Sequence, residues 1–159
     1  AAEWTETKSR EGKFKASFPV KAQYENQDVD TGLKTLKVHF FTATTDNDNV
    51  AYIVMYSDYP AEHVRNTDAE TLLKNVQTGV RQTYGGRITK EEGIKLGEHL
   101  GRQFACEGKF GGNDVKMIWR LYIVGNRLFQ VYVFQNADAA AAMESVQKFF
   151  DSFALLQEE

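Results

Sequence analysis

Alternation of apolar and polar residues begins in the segment 13–18, where Phe14, Ala16 and Phe18 interleave with Lys13, Lys15 and Ser17. That is the pattern of a strand with one buried face. Pro19 ends the pairing because it has no N–H to donate. The polar run 23–32 predicts a loop, after which 34–42 resumes alternation through Leu36, Val38 and Phe40. Residues 50–56 are apolar at every position and rich in β-favouring types, which predicts a central strand closed to water on both faces. The turn-forming residues 45–49 between these strands predict an antiparallel hairpin with an exposed loop.

Thr67 with Glu70 three residues later carries a capping-box signature, and Ala69, Leu72, Leu73, Val76 and Val80 then fall on one helical face. Gly85 and Gly86 stop that helix. Strands return at 98–107, 115–124 and 127–135, the last two joined by the tight turn Gly125-Asn126. With Val124 opposite Arg127, one face of this hairpin carries Ile123/Leu128, Leu121/Gln130, Trp119/Tyr132 and Met117/Phe134. The other face carries Tyr122/Phe129, Arg120/Val131 and Ile118/Val133. Both faces are mainly apolar, and leaving either in water would forfeit about 1.5 to 3 kcal/mol per large side chain. Each face therefore needs a cover. The second cover is a C-terminal helix over about 138–151, with Ala139, Ala142, Met143, Val146, Phe149, Phe150 and Phe153 at helical spacing. The expectation is a single α/β domain of the α+β type spanning 1–159, an α/β/α sandwich with a mainly antiparallel sheet covered by helices on both faces.

Composition supports an ordered core: 42% hydrophobic and 13% aromatic residues with only 2 prolines lie far from the signature of disorder. A chain of about this length buries about two thirds of its unfolded surface, so it needs neither disulfide nor metal to fold. The net charge of −3 offers no overall attraction to a phosphate backbone, which argues against nucleic acid as a partner. The longest apolar stretch, 50–56, is far short of the roughly 18 to 20 residues that cross a bilayer. An opening Ala1-Ala2-Glu3 without Met is what export followed by signal removal leaves, so a periplasmic, secreted or lipid-anchored location is expected. The lone Cys106 leaves the redox compartment open.

Candidate chemistry is sparse. Asp46-Asn47-Asp48-Asn49 offers oxygen ligands but lacks the central Gly and later Glu of a calcium loop, and reads as a turn. His39, His63 and His99 share no metal-pair spacing with one another or with Cys106, and read as surface or strand histidines. Cys106 shares parity with Phe104 and reads as a buried, inert thiol. No serine sits in a Gly-x-Ser-x-Gly elbow, and the Gly-containing stretches 97–101 and 108–112 match no phosphate-binding loop, so they read as turns. Lys8, Arg10, Lys13 and Lys15 make the amino-terminal stretch basic, with Lys13 and Lys15 on the wet side of a strand. Arg120 stands out, mid-strand on a face of Ile118, Tyr122, Phe129, Val131 and Val133, because a buried guanidinium must have a partner. It either pairs internally or snorkels, or it lines with Tyr122 a pocket for an anionic group.

Trp4 with Glu11-Gly12-Lys13-Phe14 and Phe18-Pro19, Leu100-Gly101-Arg102 before a long hairpin, and the terminal Phe149-Phe150-Asp151-Ser152-Phe153 together resemble the PsbP-like superfamily. The likeness covers nearly the whole chain, in particular to small exported or lipid-anchored bacterial members of unknown function. It implies an α/β/α sandwich around an antiparallel sheet. Members serve as an accessory subunit of a photosynthetic complex, as a partner of a small GTPase and as envelope proteins, and none supplies a catalytic motif that places a functional residue here. The expected function is a non-enzymatic binding or accessory role in the cell envelope with a protein partner and no cofactor. The rival is a small-ligand module for a lipid or other anion, with Arg120 and Tyr122 lining a pocket between sheet and helix.

Overall fold

The computed structural model describes residues 4–30, 35–45, 49–60, 62, 67–136 and 143–156. In chain order these form β1 (Thr5–Ser9), β2 (Phe14–Phe18), β3 (Gln23–Asp30), β4 (Thr35–Thr45), β5 (Val50–Asp58), α1 (Ala69–Thr83), β6 (Arg87–Leu96), β7 (His99–Phe110), β8 (Asn113–Val124), β9 (Arg127–Asn136), α2 (Met143–Ser152) and β10 (Ala154–Leu155). Seven strands make one antiparallel sheet in the order β3-β4-β5-β9-β8-β7-β6, and β1-β2-β10 make a second, smaller one.

The register of the β8–β9 hairpin is the one its turn dictates. Val124 pairs with Arg127, Trp119 with Tyr132 and Arg120 with Val131. Gly125 supplies the positive φ of 62° that such a tight turn requires and an L side chain adopts only with strain. Alternation then divides the side chains between two cores. Met117, Trp119, Leu121, Ile123 and Leu128 join Leu73 and Val80 of α1 on one side. Tyr122, Phe129, Val131 and Val133 join Tyr52, Val54 and Tyr56 of β5 on the other.

The expected cover of helices on both faces is not what forms. One face is covered by α1 over β7 and β8, whereas over the other lies the small sheet, with α2 packed beside β2 and against β9. Phe14, Ala16 and Phe18 of β2 bury fully there together with Val146, Phe149, Phe150 and Phe153. The alternating pattern of β2 thus provides an apolar sheet face, which fills the same space that a second helix would have covered.

Four strands lie where none is expected. The run 23–32 contains β3, and β1, β6 and the short β10 are likewise additional. Strands β3 and β6 are the two edges of the large sheet, so backbone pairing on one side holds them while most of their side chains stay in water. Strand β5 corrects another expectation, since Val50, Tyr52, Val54 and Tyr56 are buried but Ala51, Ile53 and Met55 on the α1 side are only half-buried. Water reaches one side because α1 sits over β7 and β8. Helix α1 begins one residue later than the capping-box reading places it: Asp68 is the N-cap, its Oδ1 accepting from the Thr71 amide at 2.7 Å. Residues 137–142, with Ala139 and Ala142 of the expected C-terminal helix, lie outside the described residues, as do 46–48 of the expected β4–β5 loop.

Candidate functional site

At one end of the large sheet the register sets Asp58 of β5 opposite Arg127 of β9, and Arg127 opposite Val124 of β8. His99 opens β7 in the pair with Leu96. Gly12 and Lys13 in the turn between β1 and β2, with Leu155 and Leu156 at the end of the small sheet, face this row across a cleft of about 540 Å³. The cleft exists because β2 and β10 end there: the Leu156 amide donates to the Lys13 carbonyl at 2.9 Å, and no further strand pairing follows among the described residues.

Arg127 organises the polar wall. Its Nε donates to Asp58 Oδ1 at 2.6 Å and Nη2 to Oδ2 at 2.8 Å, a bidentate pair, while Nη1 donates to the Glu11 carbonyl at 2.9 Å. The guanidinium also lies 4.7 Å from the centre of the Tyr56 ring. Hydrogen bonding to Arg127 holds the Asp58 carboxyl below its ordinary value, and Asp58 in return raises the guanidinium. The Tyr56 ring stacks on His39 at 4.4 Å, and His39 Nδ1 shares a 2.6 Å hydrogen bond with the Tyr24 hydroxyl. Burial pushes the phenols of Tyr56 and Tyr59 up. Lys13 is the one non-glycine residue among those described with a positive φ, 60°.

Arg120 and Tyr122, singled out from the sequence, are brought together on the face beneath α2. Arg120 Nε donates to Gln103 Oε1 at 2.7 Å, and its guanidinium lies 4.7 Å from the Phe150 ring centre. Tyr122 stacks on Phe153 with rings parallel to within 1° at 5.8 Å. Burial pushes the Tyr122 phenol up, and the charge and hydrogen bond of Arg120 act the other way. Rings of the C-terminal segment thus occupy the space above both residues, and the guanidinium has found a cross-strand amide and an aromatic face as partners.

The remaining candidates scatter. Cys106 is buried, and burial pushes its thiol up. His39 and His99 belong to β4 and β7 respectively, and His63 lies outside the described residues. Asn49 is bound to Asn136 by a 2.7 Å side-chain hydrogen bond, which closes the ends of β5 and β9. Lys8 faces Glu6 at 3.7 Å on the exposed side of β1. Among the described residues no three His, Cys, Asp or Glu side chains converge, and no helix is long and apolar enough to cross a membrane. The cleft residues Asp58, His99 and Arg127 come from three strands whose adjacency one sequence does not reveal.

No protein-family model and no curated protein matches this chain. Solved structures do. The cyanobacterial PsbP protein CyanoP of Synechocystis sp. PCC 6803 superposes with a TM-score of 0.65 at 11% identity, over 98% of this chain and 94% of that one. A Pseudomonas aeruginosa protein of unknown function, PA94, gives 0.58 at 12% identity, over 98% of each chain. LpqN of Mycobacterium tuberculosis, involved in cell envelope biogenesis, gives 0.57 at 11% identity over 97% of this chain and 92% of its own. Identities this low speak for the fold alone, and the fold agrees over almost the full length of each partner. This protein has the PsbP-like fold.

Proposed function

We propose that this chain is a non-enzymatic binding or accessory protein of the cell envelope that works through a protein partner. The observation that carries the reading is how its part-buried arginines are used. Arg127 is closed on Asp58, Arg102 on Glu91 and Gln77, and Arg120 on Gln103, so each guanidinium fixes one structural element to another. Groups committed in this way position a scaffold. The likeness in fold to LpqN, involved in cell envelope biogenesis, supports the envelope setting, and the likeness to CyanoP supports an accessory role.

The surface best suited to a partner is the α1-side face of β4 and β5 beyond α1. Leu36, Val38, Phe40, Ile53 and Met55 are half-buried there, apolar surface of the kind that interfaces use. Crosslinking in the native envelope followed by co-purification should capture a defined partner, and the double variant Val38→Glu/Phe40→Glu should lose it while keeping the wild-type circular dichroism. Repeated capture of nothing above background would overturn the proposal.

A further inference from the structure

We infer that the outer edge of β3 takes an added strand from a protein partner, an extended segment with the pattern apolar-basic-x-x-basic-apolar. This rests on the partner-binding reading and names the contact through which it acts. Strand β3 stands at the end of the large sheet, every residue from Gln23 to Val29 is exposed, and no described strand pairs with its outer side. Its eight pairs with β4 run without a break from Gln23 and Thr42 to Asp30 and Thr35. Every second residue of such a strand turns its N–H and C=O away from its neighbour, which makes it a template for another chain.

The two edges of the sheet differ in how far they resist pairing. Strand β6 carries Lys90 and Lys95, Gly93 near its middle and a bulge between Ile88 and Lys90, all devices that spoil an edge for a further strand. Strand β3 has no Lys, Pro, Gly or bulge. Instead it carries Glu25, Asp28 and Asp30 without any Lys or Arg. Pairing with β3 of a second copy would bring the carboxylates of both copies into one seam, which like-charge repulsion opposes. The same charges favour a basic strand. Among the described residues neither Glu25 nor Asp28 enters an ion pair, although Lys37 stands across the ladder from Asp28.

Register then sets the sequence of the incoming strand, because cross-strand neighbours on one face stand about 5 Å apart and each β3 residue selects the one opposite. Tyr24 is 45% exposed and Val29 37%, which leaves two large apolar side chains at the edge. The Tyr24 ring lies 5.0 Å from the Phe41 ring, and its hydroxyl is bound to His39 at 2.6 Å, so it presents a fixed aromatic flank. Apolar residues therefore belong opposite Tyr24 and Val29, and Lys or Arg opposite Glu25 and Asp28. Glu25, Gln27 and Val29 pair with Phe40, Val38 and Leu36, so every second residue of the added strand extends the apolar face assigned to the partner.

The test is an amide-resolved NMR titration of the whole chain with the capped peptide Thr-Ile-Lys-Thr-Thr-Lys-Tyr-Thr. Saturable shifts confined to β3 and β4 are expected, and the peptide with Glu in place of both Lys should bind at least about tenfold more weakly. N-methylation separates strand addition from plain charge attraction. Methylating alternate peptide amides in one phase should abolish binding, because those N–H groups face β3, and methylating the other phase should leave most of it. Glu25→Lys/Asp28→Lys, at exposed positions, should weaken the Lys peptide by about tenfold or more and favour the Glu version. Glu92→Lys on the exposed β6 edge should change nothing. Absence of saturable shifts at millimolar peptide, equal binding of the Lys and Glu peptides, or equal effects of the two methylation phases would each overturn the inference. In the native envelope, a partner still captured by Glu25→Lys/Asp28→Lys would refute the edge contact alone, whereas capture of nothing would refute the binding role and this contact with it.

Discussion

Gly101 lies against the ring of Tyr122: a Cβ built on the glycine would stand 2.5 Å from Tyr122 Cδ1 and 2.6 Å from the Leu121 carbonyl. The absence of a side chain lets β7 and β8 come together while the Tyr122 ring leans across and stacks on Phe153. Gly101→Ala should therefore destabilise the fold by about 2 kcal/mol or more, since backbone as well as a ring must move. Urea denaturation gives the value. Gly93→Ala, at an open edge position with nothing within 4 Å, is the control and should change stability by less than about 1 kcal/mol.

Asp58→Asn should lower stability near neutral pH by about 1 kcal/mol, kept modest because the carboxylate is 57% exposed. The sign with pH follows from the depressed carboxyl. The charged form is favoured in the folded state, so its contribution is complete above the ordinary value of 3.8 and is lost as pH falls below it. Thermal melts should show the wild type losing its advantage over Asp58→Asn between about pH 4 and pH 2.

Gln77 is buried on α1 and links two strands: it accepts from Arg102 Nε at 2.5 Å and donates to Glu91 Oε2 at 2.5 Å. Gln77→Leu should cost about 1 to 2 kcal/mol by depriving a half-buried guanidinium of its acceptor. Arg102→Met on top of it should cost less than the two single changes added together. A double-mutant cycle is expected to give a coupling of about 1 kcal/mol.

Cys106 should be silent in the native state. It is 1% exposed and burial pushes its thiol up, so the reactive thiolate is both scarce and inaccessible. An aromatic disulfide reagent should leave native protein unlabelled and modify one thiol rapidly in denaturant. Fast native labelling would contradict the packing of β6, β7 and α1 around it.

What could be read from the chain follows from where each element buries its side chains. The β8–β9 register was legible because Gly125-Asn126 fixes it locally and both flanking strands are apolar. Strands β3 and β6 were not, because an edge strand is held by hydrogen bonds along one side and its side chains carry little hydrophobic pattern. The second cover was read as a helix alone because the Phe14, Ala16, Phe18 alternation shows that β2 has an inner face without showing what that face packs on. Arg120 and Tyr122 were placed on the correct face, and their neighbours Gln103, Phe150 and Phe153 follow only from the tertiary arrangement. The Asp58–Arg127 clamp required knowing that β5 adjoins β9, a pairing between segments about seventy residues apart.

Strand β2 takes its two neighbours from opposite ends of the chain, and its Ser17 amide donates to the Ser152 hydroxyl across 135 residues. The aromatic underside of β2 is only partly covered by the large sheet, through Phe41, Tyr56 and Phe129 against Phe14; Phe153 beside Phe14 and Phe149 beside Phe18 come from the last segment of the chain. During synthesis, a fragment holding everything up to β9 would lack the rings that cover Phe18 and one side of Phe14, leaving aromatic surface for a chaperone. Contacts between such distant segments close slowly, so full protease resistance is expected only once this layer has formed.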